Sequence, residues 1–337
     1  MDWFEKLTGF RETGYAETRT RLEIQGQRLH SRSNGASYAI GELELASLLD
    51  LRARARSDGG VGGRLKVSVV TGDVRRMHRS DDNAGALFQV ASQFNLLEMV
   101  SPDVTPEHGV TRYQNDHTQG PACAIAAGAA TIYRNYFVPI DGGEGQTAQR
   151  QLDGLGDLGA ALSSELRRPV DELWQMRNGY ALGSRVGLDA IASYLATVAS
   201  DAREVLRGKL RIGIHRDVEV TEAAGPTRPV VSQAFCSALP VAYSRVPPEH
   251  WKPFASLVLE AAYEATMWAG VLNARRGASN VVFLTLLGGG AFGNHADWIH
   301  AAMRRALELV SGVGLDVRVV SYGKPSRETL TLVEEFR

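Results

Sequence analysis

The segment Val281 to Met303, VVFLTLLGGGAFGNHADWIHAAM, constrains the fold more tightly than any other part of the sequence. A β-branched run enters Gly288-Gly289-Gly290-Ala291-Phe292-Gly293, and a helix is expected from near Asn294. That helix presents an apolar face at Ile299, Ala302, Met303, Ala306 and Val310. A strand that turns straight into a helix across glycines belongs to α/β architecture. It also exposes unpaired backbone N–H groups where glycine lets an anion come close, so a phosphate or pyrophosphate is the natural guest. A tight turn with no ligand is the competing reading.

Composition narrows the class. A chain of 337 residues can hold two ordinary domains or one large one, and its 44% hydrophobic and 22% charged residues are those of a globular protein. Lysine and arginine number 37 against 38 acidic residues, a net charge of -1, so general nucleic-acid binding is not expected. Cys123 and Cys236 lie in apolar runs, which suits buried thiols in a reducing compartment. No apolar stretch approaches a membrane span. The opening MDWFEKLTGF lacks the order of a secretory signal, and the expected location is cytoplasmic.

Along the chain, RLEIQGQRLHS and ASYAIGELEL alternate around Ser33-Asn34-Gly35, a hairpin signal that makes residues 1–60 a β-rich opening segment. The polar, glycine-rich run Arg56 to Arg64 reads as a boundary. Strands are expected at Leu65–Val70, Ala86–Phe94, Leu210–His215, Val230–Leu239, Val281–Leu287 and Leu315–Val320. Helices are expected at Pro121–Ala130, around Phe254 to Leu272, and at His295–Val310. Residues 141–208 read as a helical insertion, with Asn178-Gly179-Tyr180 as a turn between its helices. Two readings stand for the insertion, a lid over a cleft or a structural elaboration.

The turn VVTGDVRRMH, then VASQFN, the helix start TQGPACAIAAG and the late LTLLGGGAFGN form an ordered set. In that order they resemble the macrodomain superfamily, the ADP-ribose-binding fold that includes poly(ADP-ribose) glycohydrolases. The resemblance implies a three-layer α/β/α core with a mixed sheet, built from 61–140 and 209–337 and flanked by the opening segment and the insertion. It implies that Asp73, with Val74, receives the adenine and that Asn95 lies near the distal ribose. Gly120, Pro121 and Ala122 would form the first phosphate loop. The second would run from Gly288 through Gly289, Gly290, Ala291, Phe292 and Gly293 to Asn294, with the Phe292 ring bordering the ribose. Two departures from the family stand out: no glycine run follows Asn95, and no Glu-Glu pair lies between it and Pro121.

The implied partner is ADP-ribose or an ADP-ribosylated group, and the preferred activity is hydrolysis of the ADP-ribosyl linkage without metal or other cofactor. Such cleavage passes through an oxocarbenium-like centre and needs a carboxyl group to orient water or protonate the leaving group. Glu98 and Asp116 are the candidates, each weighed against a structural role as a paired carboxylate or a turn residue. Two rivals remain: a reader that binds ADP-ribose without turnover, and a nicotinamide-dependent oxidoreductase suggested by G-x-G-x-x-G at Gly288, Gly290 and Gly293. The late position of that motif argues against the oxidoreductase, because the next strand ends without the acidic residue that would hold a ribose.

Overall fold

The computed structural model describes residues 1–57, 61–225 and 227–337. Seven strands form the central sheet: Glu42–Ser47 (β1), Lys66–Thr71 (β2), Leu87–Ala91 (β3), Arg211–Glu219 (β4), Val230–Cys236 (β5), Val281–Leu284 (β6) and Asp316–Ser321 (β7). Their order is β1-β4-β5-β3-β6-β7-β2. The five strands from β5 to β2 run parallel, while β4 is antiparallel to both β1 and β5, which makes the sheet mixed.

The strands' alternation loads both faces. Ala46, Val67, Leu87, Ala234, Cys236, Val282 and Val317 point into one core, under the 28-residue helix Pro248–Arg275. That helix packs against Leu48–Ser57, Arg185–Thr197 and Ala296–Leu309. Phe88, Val90, Phe235 and Phe283 point to the other face. There they meet the short helices Val74–His78 (α1), Gln119–Ala126 (α2) and Gly128–Tyr136 (α3), through Val74, Cys123, Ala126 and Ala130. Helix, sheet and helix make three layers, and burial of both sheet faces explains the nearly unbroken apolar runs in the parallel strands.

Several elements depart from the sequence expectation. The single helix expected over Pro121–Ala130 is two, broken at Ala127, whose ψ of 58° is not helical. The opening segment holds a three-stranded sheet (Leu22–Gln25, Arg28–Ser31, Ser37–Ala39) with the 33–35 turn joining its last two strands. It also holds helices Trp3–Thr8, Tyr15–Thr20 and Leu48–Ser57, so it is not purely β. Its last strand, β1, pairs with β4 across the expected boundary at residue 60 and forms an edge of the central sheet. Residues 58–60 of the expected linker lie outside the described residues.

Within the insertion, Asn178-Gly179 is the two-residue turn of a β-hairpin, Trp174–Arg177 with Tyr180–Gly183, rather than a joint between helices. Asn178 (φ 48°) and Gly179 (φ 79°) both sit in the left-handed region that such a hairpin demands. No helix among the described residues is long and apolar enough to cross a membrane. Cys123 and Cys236 are both buried and free.

Candidate active site

A cavity of about 490 Å³ opens at the carboxyl ends of the parallel strands, where open α/β sheets place their ligands. It lies where β3 and β6 part company. These strands pair only at Val282 with Leu87 and Phe283 with Phe88, and beyond them the chains diverge. Three side chains satisfy the backbone groups that this parting would strand. Gln89 accepts from Thr285 N–H through Oε1 (3.2 Å) and donates to Thr266 Oγ1 (3.0 Å). Tyr263 donates to Thr285 O (2.6 Å) and accepts from Leu287 N–H (2.9 Å). Gln119 donates to Gln89 O (2.9 Å) and accepts from Ala91 N–H (3.3 Å). The crevice is thereby held open without an orphaned strand edge.

Two turns flank the crevice. At the start of α2 the amides of Gln119 and Gly120 find no acceptor among the described residues. A methyl group on Gly120 would lie 2.0 Å from the Ala91 carbonyl oxygen, so only glycine lets α2 approach β3 this closely. Opposite, the glycine turn closes on itself, Gly293 N–H donating to Gly290 O and Asn294 N–H to Gly288 O. The amides of Gly290, Ala291 and Phe292 are left without an acceptor among the described residues. Gly288 has φ 73°, and a side chain there would collide with Ala238. Such runs of free amides bind anions.

Most of the expected site residues gather here. Asp73, Val74, Glu98, Asp116, Gly120, Pro121, Ala122, Gly288, Gly290, Ala291 and Phe292 all line the cavity. Asp73 caps α1, accepting from Arg75 N–H (2.8 Å). Four expected residues do not line it. Asn95 is fully buried in a loop where Leu96 has φ 63°. Its amide donates to Gln151 and accepts from Leu97 N–H, which ties the loop to the insertion. Asn294 is also buried and donates to Leu239 O (2.8 Å), bracing the glycine turn from behind. Gly289 and Gly293 lie within the turn, donating to Leu286 O and Gly290 O. The helix after the turn begins at Ala296, one residue later than the expected His295, which serves as its N-cap.

The two candidate carboxyl groups occupy different environments. Asp116 is half-buried at the cavity wall and accepts from Thr118 N–H (2.8 Å), so it is a turn residue as well as a wall residue. Glu98 is 2% exposed, and neither of its carboxyl oxygens has a hydrogen-bond partner among the described residues. Arg134 Nη2 comes to 3.5 Å, inside Coulomb range but not a hydrogen bond. Burial pushes the Glu98 carboxyl up to about 8, against the pull of Arg134 and of the nearby Tyr113 hydroxyl, with Asp116 adding to the rise. Arg134 is itself fully buried, over the Phe235 ring (3.8 Å), and donates to Leu96 O. Burial and the neighbouring arginine together keep His215 well below the usual imidazole range. Burial pushes the Cys123 thiol well up, which makes it a core residue rather than a nucleophile.

Sequence reasoning missed an aromatic group at the same end. Tyr180 from the insertion hairpin, Tyr243 after β5 and Phe292 of the glycine turn meet at the cavity wall. Their ring centroids lie 5.1 Å (Tyr180–Tyr243), 5.3 Å (Tyr180–Phe292) and 5.6 Å (Tyr243–Phe292) apart. Tyr180 donates to Met99 O (2.5 Å), and Asn178 beside it donates to Pro102 O. The hairpin is thus fastened to the loop that carries Glu98. At the opposite end, Tyr322 stands 84% exposed beyond β7, near Asp73. Among the described residues no lysine or arginine lines the cavity. None of their His, Cys, Asp and Glu side chains cluster in a way that could hold a metal ion.

No family model matches the sequence, and no curated protein matches it. Among solved structures the chain is similar to poly(ADP-ribose) glycohydrolase from Deinococcus radiodurans in complex with ADP-ribose, at 12% identity and a TM-score of 0.42, over 97% of this chain and 98% of that one. It is similar to poly(ADP-ribose) glycohydrolase from Thermomonospora curvata, at 14% identity and a TM-score of 0.44, over 96% and 97%. The Thermomonospora curvata enzyme bound to the inhibitor ADP-HPD also matches, at 14% identity and a TM-score of 0.42, over 95% and 97%. Identities and scores this low leave the chemistry of this chain to be argued from its own cavity.

Proposed function

We propose that this protein binds ADP-ribose or ADP-ribosylated groups in the cavity at the strand ends and hydrolyses the ADP-ribosyl glycosidic linkage. The observation that carries the reading is the cavity's construction: two amide-lined turns face each other across the parting of β3 and β6, with an acidic residue at each end. A diphosphate suits facing amides that no side-chain acceptor has claimed. The order of the motifs from Asp73 to Phe292 supports the macrodomain-like assignment, with Asp73 and Val74 at the adenine end and Phe292 at the distal ribose. Between the carboxyl candidates, Asp116 would hold a water against the anomeric carbon, a role its partial exposure on the cavity wall supports. Glu98 stands behind the same loop with its oxygens shielded.

Calorimetric titration with ADP-ribose tests the reading. Saturable binding that weakens in Asp73→Ala supports it, and absence of binding ends it. Incubation with ADP-ribosylated protein then separates hydrolase from reader. Loss of label that falls sharply in Asp116→Ala, with ADP-ribose still bound, identifies the hydrolase. One observation favours a reader: burial of the Glu98 oxygens leaves one accessible carboxylate where glycosidases usually employ two.

A further inference from the structure

The reaction end of the cavity has a chemical character that ADP-ribose alone does not explain. Three aromatic rings from three separate parts of the chain converge there, and they are not closed off as a core cluster would be. Tyr180 is buried, but Tyr243 is 36% exposed and Phe292 half-buried, so ring surface faces the open space. Exposed aromatic surface converging on a cavity is a recognition element for a planar or cationic group. The charges point the same way. Asp73 and Asp116 line the cavity while no lysine or arginine among the described residues does. A diphosphate already brings negative charge into this space, so the site lacks a positive counterpart that a ligand could supply.

The acid–base inventory adds a third line. Cleaving an oxygen-linked sugar calls for an acid at the departing oxygen as well as a base at the water. At this end both oxygens of Glu98 are buried, and Asp116 is the carboxylate that reaches the space. A leaving group that already carries a positive charge needs no acid, because it becomes neutral as it departs.

Resting on the reading of the cavity as an ADP-ribose site, we propose that the group cleaved from ADP-ribose here is a planar cation attached through nitrogen, a guanidinium or a pyridinium, held against Tyr243 and Phe292 beside Asp116. In the reaction a water oxygen bonds to the anomeric carbon and the carbon–nitrogen bond breaks. The bonding pair stays with nitrogen, which loses its positive charge. One water proton passes to Asp116 and then to solvent, and the products are ADP-ribose and a neutral guanidine or pyridine. His117 also lines the cavity, beside Asp116.

The test compares kcat/KM of the purified full-length protein on four substrates. NAD+ and ADP-ribosylated agmatine carry the two cations, while ADP-ribosylated serine peptide and poly(ADP-ribose) are oxygen-linked and uncharged at the cleaved bond. At least one cation is expected to be cleaved about tenfold or more better than either oxygen-linked substrate, and comparing the two cations tells pyridinium from guanidinium. Tyr243→Ala should lower kcat/KM on the preferred cation about tenfold, the scale of a desolvated cation–π contact. Tyr243→Phe should restore it, since the ring and not the hydroxyl makes the contact. Equal or faster cleavage of the oxygen-linked substrates overturns the proposal. So does a Tyr243→Ala loss that is uniform across substrates, or a His117→Ala loss confined to oxygen-linked ones. ADP-ribose bound with neither cation cleaved overturns it while leaving the binding site in place. No ADP-ribose binding removes the underlying reading instead.

Discussion

Replacing Glu98 by glutamine keeps the shape of the side chain and removes its proton equilibrium. The unfolded chain releases this proton near 4.5 and the folded chain near 8, because burial outweighs the attraction of Arg134. Between those values the folded state holds one proton more than the unfolded state, so stability falls as pH rises. The slope is about 1.36 kcal/mol per pH unit. From pH 5.5 to pH 8 the wild type should therefore lose about 3 kcal/mol that the glutamine variant keeps. Other titrating groups, His78 and His215 among them, are carried by both proteins and drop out of the difference. Paired thermal melts at half-unit pH steps read this directly. The variant should melt close to the wild type at pH 5.5 and roughly 5 °C above it at pH 8 to 8.5. A gap that stays flat, or a variant that becomes the less stable partner as pH rises, would refute the reasoning. Either result would mean that Glu98 is ionised throughout and that its 3.5 Å approach to Arg134 is a working ion pair.

Four further expectations follow from the same geometry. Gly120→Ala should abolish ADP-ribose binding and lower stability by about 2 kcal/mol or more, since its methyl group meets the Ala91 carbonyl at 2.0 Å; calorimetry and melting measure the two effects. Gly179→Ala adds a left-handed φ of 79° to a contact 2.6 Å from Asn95 Cγ. It should displace the 93–99 loop and reduce turnover about tenfold or more while the ADP-ribose affinity changes little. Tyr322→Ala removes an exposed ring at the Asp73 end and should weaken ADP-ribose binding about tenfold, with the circular-dichroism melt unchanged. Because amides rather than lysines or arginines line the proposed diphosphate site, raising NaCl from about 50 to 500 mM should change the ADP-ribose Kd by less than about threefold; a steep salt dependence would reveal a cation contact.

The sheet was legible because parallel strands buried on both faces are written as continuous apolar runs, and the glycine turn because its backbone demands are local. Residues tied to those local demands, Asp73 in its cap, Gly120 at its close approach and Gly288 at its positive φ, line the cavity, whereas Asn95 does not. Its partner Gln151 lies 56 positions along the chain, in a segment that reads as separate. The same holds for the side chains that keep the crevice open: Gln89 and Thr285 are 196 positions apart. Nothing in the neighbourhood of a glutamine announces such a partner. For that reason Tyr180 reads only as part of the turn Asn178-Gly179-Tyr180, and no local signal singles out Tyr243. The hairpin at Trp174–Gly183 did carry its own sign in Asn178-Gly179, which the helical pattern around it concealed.

The position of β7 has a consequence for how the protein is made. β2, the strand that delivers Asp73, has a single neighbour in the sheet, and that neighbour is β7, in register from Asp316 with Lys66 to Ser321 with Thr71. During synthesis β2 leaves the ribosome among the first strands of the sheet and waits for the last. Until residues 316–321 emerge, Val67 and Val69 have no ladder to join, and the Asp73 end of the cavity does not exist. The other end, around Asp116 and Tyr243, is built from earlier parts of the chain. Ligand competence should therefore arrive all at once and late, governed by one closure spanning some 250 residues. A nascent chain stalled before β7 would present a naked apolar strand to chaperones rather than a half-formed binding site.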